Sequence, residues 1–494
     1  RQGGDVSNLE KVLVGFSNLS FVYFVVLNTL YLVLTAVAWR EMTKELSRRP
    51  FLGLDEIFRS PLTPGISVLV PAFDERAVIV ESVRSLMALR YPRHEVVVVN
   101  DGSTDDTLQQ LSQAFDLVPV RLAVRDSIET AAIVCTYLSR RHPNLLVVDK
   151  VNGGRSDALN AGLRVSRHPY VCVIDADSLL ESDALLKVAK PIVDDPEVLV
   201  ATGGTIRIAN GCTVDHGRVT DVRLPPSRLA TIQVLEYVRA FLVARVGWSR
   251  INALGIISGA FGLFDRKLLE TVGGYWTETV GEDFELTLRL HRHLRERDEP
   301  YRIEFVSDPV CWTEVPEELS TLARQRRRWQ RGLWQGFRRH IRMLLNPRYG
   351  KVGMLAMPYF VLFEFLSPLF ALLGLLITIL LFALGAVSVT YFVVFVLISL
   401  GLGVFLTTSA LALEEISYHR YERRRDIWRM VLYSVLENVG FHQLHDIWRT
   451  IGYVDIARGV TTWGAQQRRG FAPPPPADAN SGAVTSRVPG GPLA

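Results

Sequence analysis

Residues 18–39, NLSFVYFVVLNTLYLVLTAVAW, carry no ionisable side chain, and a second apolar block occupies 359–384 and 389–413 with a break at 385–388. A helix needs about 20 such residues to cross the hydrocarbon core of a bilayer. The chain is therefore expected to be anchored at both ends with a water-soluble body between, which excludes a wholly soluble fold. Arg40, Lys44, Arg48 and Arg49 follow the first stretch, and Arg420, Arg423, Arg424, Arg425 and Arg429 follow the second. Basic flanks mark the cytosolic side of a span. Residues 1–17 then read as extracytoplasmic, 18–39 as a span or uncleaved anchor, 40–64 as a cytosolic linker, and 351–384 and 389–413 as an antiparallel pair of spans. The first stretch lacks the short apolar region and small-residue cleavage site of a signal peptide.

The stretch 428–453 is half apolar but holds Glu437, His442, His445, Asp446 and Arg449, each costly at mid-bilayer. It reads as interfacial or packed on protein, within a cytosolic helical region over 414–471. The tail 472–494 is rich in Pro, Gly, Ser and Ala and reads as disordered. The 494 residues are 48% hydrophobic and 21% charged with a net charge of +4, too small a charge for a nucleic-acid partner and too apolar a chain for wholesale disorder. Cys135, Cys172, Cys212 and Cys311 are too far apart in sequence for a metal knuckle or redox pair, as suits a reduced compartment.

Between the apolar ends, short apolar runs alternate with amphipathic segments: ISVLV, EVVVV, LLVV, YVCVI and VLVATGG. Strands alternating with helices predict a parallel sheet covered on both faces, with ligands at the carboxyl ends of its strands. Phe73, Asp74 and Glu75 follow the first run, Asp101 the second, Lys150 to Asp157 the third, and Asp175 and Asp177 the fourth. Two carboxylates one residue apart suit a hard divalent ion, Mg2+ or Mn2+; a strand-end turn capped by Asp is the alternative. Asn152-Gly153-Gly154-Arg155 offers amides and a cation near a helix start, a cradle for a diphosphate or an ordinary turn. Glu282 and Asp283 open a helical segment, where acidic residues often only complement the helix dipole. Gln325-Arg326-Arg327-Arg328-Trp329 can bind phosphate, stack a sugar ring or lie at a membrane face, and it leads into an amphipathic interface helix over 329–350.

In order, VPAFDE (70–75), VNDGSTD (99–105), NGGRSDALNAG (152–162), DAD (175–177), SGAFGLF (258–264), GED (281–283) and QRRRW (325–329) resemble the membrane-embedded processive enzymes of glycosyltransferase family 2, which make poly-N-acetylglucosamine, chitin, hyaluronan and cellulose. The resemblance covers about 10–470. It implies an α/β GT-A domain, a Rossmann-like mostly parallel sheet over 65–328, and inverting transfer from a UDP-sugar to a polysaccharide acceptor at the cell membrane. Asp283 would be the general base, and Asp175 and Asp177 would hold Mg2+ or Mn2+. Phe73, Asp74, Glu75 and Asp101 would hold the uridine, with Gly154, Arg155, Asp157 and Glu282 also in the substrate site. Ser258 and Gly259 would line the acceptor site, and Gln325, Arg328 and Trp329 would meet the diphosphate and acceptor sugar. Gly281 departs from the Thr of many relatives, and Arg155 from their Lys. A non-processive transferase acting on a lipid or short saccharide, and a nucleotide-sugar-binding transporter or scaffold, are the competing readings.

Overall fold

A computed structural model of the chain describes residues 2–48, 53–215 and 217–460; the tail expected at 472–494 lies outside them. Twelve strands are present among these residues: β1 (Ile66–Ala72), β2 (His94–Asp101), β3 (Leu117–Val120), β4 (Ile133–Ser139), β5 (Leu145–Lys150), β6 (Tyr170–Val173), β7 (Ser178–Leu180), β8 (Leu199–Ile208), β9 (Thr213–Asp215), β10 (Arg218–Asp221), β11 (Gly262–Asp265) and β12 (Arg302–Thr313). Ten of them form one sheet in the order β3-β4-β5-β2-β1-β6-β11-β8-β12-β7. Its centre, β5-β2-β1-β6, is parallel, with Leu69 beside Val97 on one neighbour and Val173 on the other. Strands in such a position are covered on both faces and read as unbroken apolar runs. Val68, Leu69 and Val70 accordingly have no exposed surface, each contributing about 1.5–3 kcal/mol of burial. Antiparallel partners extend the sheet: β4 on β5 at one side and β11 between β6 and β8 at the other. Helix Arg155–Val165 packs on β1 and β2, and helix Ala184–Asp194 on β8 and β12.

Helix Gln2–Arg48 runs the full length of the N-terminal segment, through the boundary expected at residue 18. Among the described residues two helices, Lys11–Ser47 and Phe392–Ser417, are long and apolar enough to cross a membrane. A third span arises if Val352–Phe365 and Ser367–Ala383 are counted together. That pair meets at 46°, so the segment expected as a span over 351–384 is bent. The cause is local: a π-helical turn, Phe360–Phe365, runs into Pro368, which lacks an N–H and cannot continue the ladder. The carbonyls released there find donors on neighbouring helices, Phe365 from Gln330 Nε2 at 2.9 Å and from the Tyr453 hydroxyl, and Glu364 from Arg449. Residues 428–453 are two helices, Arg424–Leu436 and His442–Ala457, and the second packs on helices Leu319–His340 and Ser367–Ala383.

The soluble and apolar parts are joined by buried polar contacts. Arg207 on β8 makes a two-pronged ion pair with Glu414 at 2.6 and 2.7 Å, and the Ser307 hydroxyl donates to Glu45 at 2.6 Å. Ser17 and Thr378 bond across the helices at 3.1 Å, and Tyr23 stacks on Phe370 with centroids 4.4 Å apart.

Candidate active site

The parallel strands end on one edge, and the polar turns that follow them converge there. Asp74 has φ of 55°, a left-handed conformation costly for a residue with a side chain. Its carboxylate offsets that cost by accepting from the amides of Thr104 at 2.6 Å and Asp105 at 3.2 Å. The Asp74 and Glu75 amides donate in return to Ser103 Oγ at 3.1 Å and Thr107 Oγ1 at 3.0 Å. The turns after β1 and β2 are thus stapled together, with Phe73 47% exposed at their lip. Of the residues expected to meet the uridine here, Phe73 presents a free ring surface, while the Asp74 carboxylate is occupied in holding the turn.

Asp101 is buried and bonded to Lys150 Nζ at 2.5 Å and to the amides of Gly153 at 3.0 Å and Gly154 at 2.7 Å. Lys150, wholly buried, also meets Asp157 at 2.6 Å, and Asp157 accepts from the Ala131 amide at 3.1 Å. A single ammonium shared by two carboxylates, with backbone amides donating to both, offsets charge that would otherwise be untenable in the interior. The amides expected to cradle a diphosphate are committed to Asp101, and Asp157, expected to touch substrate, lies inside this ion cluster. Gly154 turns the chain into the next helix with φ of 86°, which glycine adopts freely. The role of Lys150 is absent from the sequence reading; a lysine closing an apolar strand is its one signal.

Arg155 opens helix Arg155–Val165 and gathers the remaining residues. Its guanidinium meets Asp175 Oδ1 at 2.6 and 3.2 Å, the Gly259 carbonyl at 2.9 Å, and Glu282. Burial works against its charge, and the carboxylates of Asp175, Glu282 and Asp283 more than reverse this, holding the group above the ordinary arginine range. Asp283 accepts from its neighbour Phe284 N at 2.8 Å and from Gly259 N at 3.4 Å. Burial first, and then Glu282, push the Asp283 carboxyl up to about 6, against the downward pull of those amides and of Arg155. Ser258 Oγ accepts from the Ala260 amide at 3.4 Å, which shapes the turn carrying Gly259.

Helix Leu319–His340 begins ten residues before the expected start of the interface helix and brings the basic run to this cluster. Arg328 lies within electrostatic reach of Glu282, Arg155, Asp175 and Asp283, and burial lowers its pKa. Arg326 and Arg327 turn elsewhere, to Glu236 at 2.5 Å and to Asp455 at 2.6 Å. The Arg326 guanidinium also covers the Trp329 ring at 4.3 Å from its centroid, and Trp329 is 40% exposed. Gln325 is half-buried, its Oε1 without a hydrogen-bond partner. Asp177 is buried and Asp175 partly open. Among the described residues no group of three or more His, Cys, Asp or Glu converges as a metal site, so a metal would rest on these two hard carboxylates and on oxygens of its ligand, a donor set that fits Mg2+ or Mn2+.

The model of a family described as "Glycosyltransferase like family 2" matches residues 64–332. Over 294 residues the chain is 27% identical to the poly-beta-1,6-N-acetyl-D-glucosamine synthase of Staphylococcus aureus (strain COL), covering 59% of either protein. It is 28% identical over 268 residues to the enzyme of the same name from Staphylococcus epidermidis, 54% of each. The matched part thus spans about three-fifths of the length of these relatives. Among solved structures, the mannosyltransferase PcManGT from Pyrobaculum calidifontis, in complex with GDP-Man and Mn2+, aligns with a TM-score of 0.48 at 21% identity, over 82% of this chain and 99% of that one. The family match takes in more than half of the chain and every cluster described above, so the mixed sheet is a GT-A domain and the chain belongs to the glycosyltransferase-like family 2.

Proposed function

We propose that the protein is an inverting membrane glycosyltransferase that moves a sugar from a UDP-sugar, UDP-N-acetylglucosamine first among them, to the end of a growing beta-linked polysaccharide, which passes out between its apolar helices. The observation that carries the reading is Asp283. It is a carboxyl with pKa about 6, ionised at neutral pH yet basic enough to accept a proton, set beside a cluster of cations. The likeness to the staphylococcal synthases supports the choice of sugar.

In the displacement, an acceptor hydroxyl attacks the anomeric carbon on the face opposite UDP. The new C–O bond forms as the bond to the diphosphate oxygen breaks, and Asp283 takes the hydroxyl proton. No covalent sugar–enzyme intermediate is required. Arg155 and Arg328 stand where their charges oppose the negative charge gathering on the departing diphosphate. Mg2+ or Mn2+, held by Asp175 and Asp177, would supply further charge neutralisation there. Trp329 offers the acceptor sugar an apolar face. Basic residues beside the apolar helices, Arg40, Lys44 and Arg420 to Arg429, support a cytosolic catalytic domain at the cell membrane.

The test is a screen of UDP-sugars with the purified protein in detergent with Mg2+ and Mn2+, reading UDP release and product mass. UDP-N-acetylglucosamine is expected to give both UDP and polymer. A product one sugar longer than its acceptor would assign a non-processive transferase, and absence of UDP release from every donor would reject the enzyme reading.

A further inference from the structure

Helix Arg228–Val238 continues into a π-helical segment, Arg239–Arg245. Such segments bond i to i+5 where an α-helix bonds i to i+4, which widens the turn and re-aims the side chains that follow. Arg245, its last residue, lays its guanidinium over the Phe241 ring, 3.6 Å from the centroid. Its Nη1 is buried and has no hydrogen-bond partner. Arg155, Arg207 and Arg326, by contrast, each pair with a carboxylate. A buried guanidinium N–H without an acceptor is costly.

The surroundings say what could satisfy it. Asp283 and Tyr237 are the charged and titratable neighbours of Arg245, and Tyr237 in turn neighbours Arg326, Glu236 and Asp177. Arg245 is therefore an electrostatic neighbour of the base, and it shares Tyr237 with Asp177 and Arg326. An anionic ligand beside Arg245 would be repelled by the Asp283 carboxylate. A neutral oxygen would not.

We propose that Arg245 binds the acceptor: its free N–H donates to a hydroxyl or amide oxygen of the acceptor's terminal sugar, turning the attacking hydroxyl toward Asp283. This rests on the transferase reading above.

The test uses the full chain in detergent, UDP-N-acetylglucosamine, and short beta-linked N-acetylglucosamine oligosaccharides together with analogues lacking single oxygens on the terminal sugar. Arg245→Met should raise the acceptor KM roughly 10- to 100-fold, the loss expected for one charge-assisted bond, while the donor KM moves less than about threefold. Arg245→Lys should restore part of the loss. One analogue should be as poor with the wild type as the intact acceptor is with Arg245→Met, and no poorer still with the variant. Losses that add for every analogue, or donor and acceptor KM rising together, would overturn the inference and leave the transferase reading standing. Should Arg245→Met fail to bind UDP, the same coupling is read in Arg245→Lys. A wild type that transfers to no acceptor overturns both readings.

Discussion

Gly281 and Gly332 meet backbone to backbone: a Cβ added to either would stand 2.8 Å from the other's Cα. Gly281 leads into helix Glu282–Glu296, which carries Asp283, and Gly332 lies in helix Leu319–His340, which carries Arg328 and Trp329. The contact therefore sets the distance between base and acceptor-side residues. Lower down, buried Glu285 locks the same two helices by accepting from Arg339 and His340, both at 3.1 Å. Gly332→Ala should push the helices apart, costing about 1–3 kcal/mol as overpacking and on the order of 100-fold in turnover through misplacement. Thermal unfolding and UDP release check this; a variant with wild-type values of both would show that the contact is slack. The same geometry accounts for the glycine at 281, since a threonine there would meet the Gly332 backbone.

Asp283→Asn should lower transfer roughly 100- to 10,000-fold, as loss of a general base does, while UDP binding persists. In the wild type the acidic limb of kcat/KM should have its midpoint at about pH 6, since only the ionised carboxylate accepts the proton. Stability should move the opposite way. The folded chain keeps this proton up to about pH 6 while the unfolded chain releases it near 3.8, so stability falls as pH rises through that window. At pH 7 the Asn variant should be more stable than wild type by up to about 3 kcal/mol, and near pH 3 the difference should vanish. Calorimetry at the two pH values decides it.

Lys150→Met should destabilise the protein by about 3–5 kcal/mol, because it strands Asp101 and Asp157 in the interior without their shared cation. The double variant Asp101→Asn, Lys150→Met should recover part of the loss. Equal unfolding temperatures for the single variant and wild type would mean that Asp101 is held by the Gly153 and Gly154 amides alone.

The parallel centre of the sheet was legible because buried strands announce themselves as apolar runs, and β1, β2, β5 and β6 coincide with such runs. The outer strands were not: β12, parallel to β8, reads RIEFVSDPVCWT, with charges through a strand buried in only some of its positions. Within the site, the sequence places acidic residues at strand ends, but an aspartate there looks the same whether it faces a ligand or an internal lysine. That is why the contacts of Asp157 with Lys150 and of the Gly154 amide with Asp101 could not be read from their motif. The meeting of Arg155 with Glu282 depends on β11 lying beside β6, a pairing no local pattern encodes. Arg245 was hidden for a similar reason, since a π-helical turn leaves no mark on an amphipathic pattern.

Exhaustive chelation should abolish transfer by the wild type, and Mg2+ or Mn2+ should restore it. Asp177→Ala should weaken metal-dependent UDP binding, because one of two hard oxygen ligands is lost. Isothermal titration of UDP with and without Mn2+ measures this directly. Full activity in excess chelator would reject a metal role for Asp175 and Asp177.

Trp329 has one face covered by the Arg326 guanidinium, itself anchored by the buried ion pair to Glu236. The ring is fixed by its own helix and by that stack, and the 40% of its surface left open is available to a sugar. Trp329→Ala should therefore reduce polymer formation roughly tenfold or more, the scale of a lost aromatic stack with its buried area. UDP-sugar binding should change little, because Arg155 and Arg328 remain in place. Trp329→Phe should restore part of the polymer yield by keeping a flat apolar face. Paired measurements of UDP-sugar affinity and polymer mass separate the cases: equal loss of both would mean that Trp329 supports the helix packing, and unchanged polymer mass would place the acceptor sugar elsewhere.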